Sequence, residues 1–104
     1  MITQIIDVNG YWTIKVVYGI RLEDDVEGFT RTDMSKRFSL VLLGKTYSLY
    51  NFFNTMIHEA KHVQSHICSY YNIPEDGEQA AYLIGFITEQ MFKVFKRFSC
   101  KSIT

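Results

Sequence analysis

His58 and His62 flank Glu59 in the stretch TMIHEAKHVQSHICSYYNI with the spacing H-E-x-x-H, and His66, one turn further on, is the remaining histidine of the chain. On a helix, side chains four apart share a face, so two imidazoles can be aimed at one ion. Neutral imidazole binds zinc well, and a catalytic zinc keeps three protein ligands and an open position for water. Glu59 is turned about 100° around the axis from His58. That sets its carboxylate beside the open position, where it can take a proton from the water. The competing reading is a polar surface helix on which Glu59 pairs with a lysine.

Such an ion needs a third ligand, and Glu78, His66 and Asp76 are the candidates. His66 lies about 12 Å along the axis from His58 and about 80° around it. One unbroken helix cannot bring all three imidazoles to one ion, and HVQSHICSYY holds no Gly or Pro to break it. Glu78 is favoured: at the start of a following helix packed on the first, it would give His2Glu coordination. For it to reach, the first helix must end early, between Ser65 and Ser69, or the loop YYNIPED must climb back along it. Tyr82, one turn beyond Glu78, can stabilise an oxyanion with its phenol. Alternatively it packs in the core with its hydroxyl bonded to backbone or to a ligand carboxylate. Gly85 is read as allowing close approach of the two helices.

These residues have to be positioned by the elements around them. Ile2–Val8 and Tyr11–Ile20 are rich in β-branched and aromatic residues, and Asn9-Gly10 between them signals a hairpin. Trp12, Ile14, Val16 and Tyr18 alternate onto one face. The acidic stretch from about Arg21 to Ser35 reads as a loop. RFSLVLLG reads as a third strand, stopped by Gly44. From Ser48 the period becomes helical, with Phe52, Phe53, Met56, Ile57, Ala60, Val63 and Ile67 on the apolar face. Ser48 or Asn51 would cap the start, and Asn72 with Pro74 would end it. A second helix is expected from Pro74–Gly77 to about Phe98, with Ile84, Ile87, Met91, Phe92, Phe95 and Phe98 inside and Glu89, Lys93, Lys96 and Arg97 outside. The reading is one α+β domain over residues 1–104, a small antiparallel sheet on two long helices.

Composition narrows the function classes. The formal net charge is +0, so the chain as a whole offers no pull toward nucleic acid or membrane. The basic end KVFKRFSCKS reads as the wet face and dipole-complementing end of a helix rather than a nucleic-acid patch. No run approaches the roughly 20 apolar residues of a membrane span, and no secretory signal is seen. Cys68 and Cys100 form no zinc-ribbon spacing, and a single bridge between them stays open. The expected setting is cytoplasmic.

HEAKHV…GEQAAYLIGFI resembles the small gluzincin-like zinc metallopeptidase domains of phage and mobile-element genomes. These pair an HExxH helix with a downstream helix that opens on Glu, followed by Ala-Tyr and Gly; the resemblance spans roughly residues 40–90. It implies a zincin-like fold, zinc held by His58, His62 and Glu78, Glu59 as the general base, and a peptide or protein substrate. The strand ending at Gly44 would align that substrate as an exposed edge, or pair with a second copy in a homodimer. The small size, the lack of a second lobe and the aromatic content favour a rival from another class, a metallopeptidase-like binding or structural module such as a phage protein. A nucleic-acid-binding accessory protein is the weaker third reading.

Overall fold

The computed structural model describes the backbone of residues 1–23, 26–45 and 48–103, with side chains through residue 94. Four strands, β1 (Ile2–Val8), β2 (Trp12–Ile20), β3 (Gly28–Asp33) and β4 (Phe38–Gly44), precede two helices, α1 (Leu49–Tyr71) and α2 (Glu78–Ile103). The chain is α+β, as its two periodicities imply.

Asn9 and Gly10 take positive φ, 51° and 78°, and the Tyr11 N–H closes the turn on the Val8 carbonyl at 3.0 Å. These are the left-handed values that Asn-Gly supplies cheaply. The hairpin that follows pairs Ile2 with Tyr18 through to Val8 with Trp12. After β2 the chain skips one position, lays β3 at the far edge, and returns through β4 to fill the gap. The order is β1-β2-β4-β3, with β4 parallel to β2 and antiparallel to β3.

Three expectations are corrected here. The stretch read as a loop from Arg21 to Ser35 contains β3. Its sequence GFTRTD does alternate, but the half-buried positions are Gly28, Thr30 and Thr32 rather than apolar residues. The sheet is therefore mixed and four-stranded, not an antiparallel hairpin plus one strand. The strand ending at Gly44 is interior, since β3 covers the side that was expected to be open; the edges are β1 and β3.

Trp12, Ile14, Val16 and Tyr18 are all buried beneath α1 and α2, with Val41 and Leu43 from β4. Helix α1 answers with Phe52, Met56, Ala60, Val63 and Ile67, and α2 with Ala80, Leu83, Ile87, Met91 and Val94. Ile57 and Phe92, expected inside, are about half exposed at 50% and 42%. They face an open apolar groove between the helices rather than the sheet. Gly85 borders that groove, and a Cβ there would meet nothing within 4 Å, so it is not a close-packing residue. Phe95, Phe98, Lys96, Arg97 and Cys100 fall outside the described side chains; Cys68 is buried with a free thiol.

Ser48 caps α1 by accepting from the Asn51 N–H at 3.3 Å. The helix then runs unbroken to Tyr71 and stops at Asn72 in the left-handed region. No early end occurs near Ser65. Pro74–Gly77 form a turn outside α2, which opens on Glu78. Among the described residues, no helix is long and apolar enough to cross a membrane.

Tyr18 ties the hairpin to α2. Its hydroxyl lies 2.7 Å from Gln4 Oε1 and 3.1 Å from the Met91 carbonyl, while Gln4 Nε2 donates to the Gln90 carbonyl at 2.7 Å. Burial holds this phenol far above the ordinary tyrosine range. Tyr18→Phe removes the hydroxyl whose single proton is shared by Gln4 Oε1 and the Met91 carbonyl, so the urea midpoint should fall by the equivalent of about 1–2 kcal/mol with an unchanged m-value. A midpoint equal to that of the wild type would contradict this role.

Candidate metal centre

His58 and His62 lie on the exposed side of α1 with their Nε2 atoms 3.1 Å apart. Two ligand atoms each about 2.0–2.1 Å from a tetrahedral zinc stand about 3.3 Å from one another. The pair is thus spaced as a shared ion requires, and the two atoms are within hydrogen-bond distance of one another.

Glu59 occupies the adjacent sector of the helix and is buried, 6% exposed. No lysine pairs with it among the described residues. Instead Thr30 of β3 donates to Oε1 at 2.7 Å. The other oxygen, Oε2, stands 4.0 Å from His58 Nε2. One carboxylate oxygen is anchored to the sheet and the other faces His58. Gly28 makes this approach possible: a Cβ there would lie 2.7 Å from Thr55 Cγ2 and 3.0 Å from Glu59 Cγ. The resulting cleft, about 370 Å³, is bounded by Val26, Glu27, Gly28, Thr55, His58 and Glu59.

His66 is held differently. Its Nδ1 lies 2.7 Å from Thr32 Oγ1, Thr32 Oγ1 lies 2.8 Å from Ser39 Oγ, and Trp12 Nε1 donates to Ser39 Oγ at 3.1 Å. An indole nitrogen only donates. Ser39 is fully buried, and among the described residues Thr32 Oγ1 is the acceptor in reach of its proton; that arrangement leaves the Thr32 proton for His66. Nδ1 is then the acceptor, and the neutral ring carries its proton on Nε2. What sets His66 apart from His58 and His62 as a ligand is distance: α1 is unbroken, and eight residues put it about 12 Å along the axis from His58.

Among the described residues, no three of His, Cys, Asp and Glu stand close enough together to hold an ion. Glu78 is exposed in the first turn of α2, and Tyr82 on the same helix is 74% exposed, not packed in the core. The carboxylate carried back onto α1 is Glu75, from the turn before α2. Its Oε1 accepts from Ser65 Oγ at 2.8 Å, and its Oε2 lies 3.3 Å from Lys61 Nζ. Those two donors hold the Glu75 carboxyl below the ordinary glutamate range, the Ser65 bond contributing most. The climbing loop expected from YYNIPED is therefore present. Beneath it, buried Gln64 donates to the Ala80 carbonyl at 2.9 Å and joins the two helices.

Sequence reasoning missed Gly28, Thr30, Thr32, Ser39 and Glu75. The signal for the threonines was the period-two alternation in GFTRTD, hidden because the inward positions are polar. No family model matches the chain, and neither curated proteins nor solved structures give a match.

Two outcomes follow from the seam between β3 and α1. Gly28→Ala should cost about 1–3 kcal/mol in urea unfolding, the range of an overpacked contact, because Thr55 and Glu59 must move. A variant as stable as the wild type would show that the seam is loose. The second concerns pH. Burial first, and then neighbouring His62, hold His66 below the ordinary histidine value. The unfolded chain takes this proton before the folded one does, so the contribution is complete above about pH 6.5 and is lost as pH falls through the lowered folded value. The urea midpoint of metal-free protein should drop from about pH 7 to about pH 5, and His66→Gln should make that drop shallower. Parallel pH curves for the two proteins would rule out the contribution.

Proposed function

We propose that the chain is a zinc-dependent hydrolase acting on peptide bonds. The observation carrying this reading is the convergence of His58 Nε2, His62 Nε2 and Glu59 Oε2 on one side of α1, with 3.1 Å and 4.0 Å between neighbours. The two imidazoles fit zinc by atom type and spacing. Glu78 is the proposed third ligand, and Glu75, already folded over α1, is its rival. Zinc bound there would polarise a carbonyl and acidify water.

The protein's own part is orientation and proton movement. Glu59, fixed at Oε1 by Thr30, takes the proton of the attacking water at Oε2 and passes it to the leaving amine. Edge strand β3, in place of the interior strand β4, offers unpaired backbone groups to an extended peptide. Tyr82 is proposed to bring its phenol to the developing oxyanion. A zincin-like arrangement, a cytoplasmic setting and a homodimer through an edge strand belong to the same reading. So does the expectation that neither nucleic acid nor membrane is a partner. The groove with Ile57 and Phe92 half exposed beside it supports the second reading, a protein-binding module, in which Glu59 is dispensable.

Zinc stoichiometry of purified protein and hydrolysis of a fluorogenic peptide mixture separate these readings. The hydrolase reading expects about one zinc per chain, lost in His58→Ala and His62→Ala. Glu59→Gln should keep the zinc and lose about 100-fold or more in rate. Weakened zinc binding in Glu78→Ala identifies that carboxylate as the ligand, whereas the same loss in Glu75→Ala transfers the role. Protein that takes up no zinc from supplemented medium sinks the proposal.

A further inference from the structure

We infer that His66 is a fixed, neutral hydrogen-bond donor that offers its Nε2–H to a backbone carbonyl of the extended peptide lying beside β3. The inference rests on the peptide reading of the His58–Glu59 cleft and adds a residue that binds substrate without binding metal. It concerns a ring whose proton is placed by its neighbours.

The placement runs through the sheet. Trp12 is buried in β2 and its indole N–H must find an acceptor; Ser39 in β4 is that acceptor at 3.1 Å. Ser39 is fully buried, and among the described residues the one acceptor within reach for its proton is Thr32 Oγ1, 2.8 Å away. Thr32 on edge strand β3 then passes its own proton toward His66 Nδ1 at 2.7 Å. The chain thus crosses β2, β4 and β3 in order and ends on a half-buried imidazole of α1. Reversing it would leave the Ser39 proton buried without an acceptor, which disfavours the opposite tautomer.

The ring also stands in the right row. His66 is stacked one turn beyond His62, with ring centroids 6.5 Å apart and planes 25° from parallel. It lies on the side of α1 that meets β3, as the Thr32 contact shows. A peptide pairing with the outer edge of β3 passes this row with its carbonyls directed in alternation toward and away from the strand. A neutral N–H suits such a carbonyl: it binds without the desolvation cost of a cation and does not compete with His58 and His62 for zinc. Lysine or arginine at the same place would carry that cost.

The test joins spectroscopy to kinetics on the full chain. In ¹⁵N-imidazole spectra of the metal-free protein, His66 should be protonated at Nε2 and bare at Nδ1, and Ser39→Ala should mix the tautomers. A proton on Nδ1 overturns the inference. With zinc-loaded protein and the fastest-cleaved peptide of the fluorogenic mixture, His66→Phe should raise KM about tenfold, the scale of one lost hydrogen bond. Zinc stoichiometry should not change and kcat should stay within about twofold. His66→Gln, which restores an N–H, should recover part of the loss. An unchanged KM in His66→Phe, with the wild type active, removes the donor and leaves the hydrolase reading standing. A wild type that binds zinc but cleaves no peptide overturns both.

Discussion

Thr30 Oγ1 and Glu59 Oε1, 2.7 Å apart, join the sheet to the helix at the point on which the rest of the site depends. A carboxylate with 6% exposure is costly to bury unless its oxygens are met by donors. Thr30 supplies one, and the side facing the histidines is left for another. The bond forms because β3 carries no side chain at Gly28, so α1 can settle close to the strand. Thr32, two residues on and on the same face of the strand, repeats the contact with His66. A single edge strand therefore fixes the carboxylate and one imidazole, and the helix periodicity carries that order to His58 and His62.

The unbroken run of α1 explains why the three histidines stand in different settings. Eight residues separate His58 from His66, too far along one straight helix for a common ion. The first pair converges, whereas the third ring is turned back to the sheet by a chain of hydroxyls. Because α1 is unbroken, any third ligand would have to come from the chain beyond it. There the chain folds back far enough for Glu75 to meet Ser65 and Lys61, two residues that flank His62 on the helix surface.

Much of this was legible in the amino-acid order. Asn9-Gly10 marks a hairpin because few other dipeptides take positive φ twice, and the alternation from Trp12 to Tyr18 marks a half-covered strand. Ser48 and Asn72 mark the ends of α1. What was not legible has a common cause. β3 was hidden because its inward residues answer polar groups on α1, so the apolar pattern that reveals strands is missing. The interior place of β4 depends on where β3 goes, which no local pattern records. The same holds for Glu75: Ser65 and Lys61 hold it on α1 through contacts ten or more residues apart.

The central claim is that His58 and His62 hold zinc beside Glu59. X-ray absorption at the zinc edge of protein purified without added chelator tests it most directly. The account predicts zinc in a shell of light atoms at about 2.0–2.1 Å, with the multiple scattering of two imidazoles and the remainder oxygen. A zinc shell containing sulfur at about 2.3 Å, or a protein whose zinc is unaffected by loss of both His58 and His62, would contradict it.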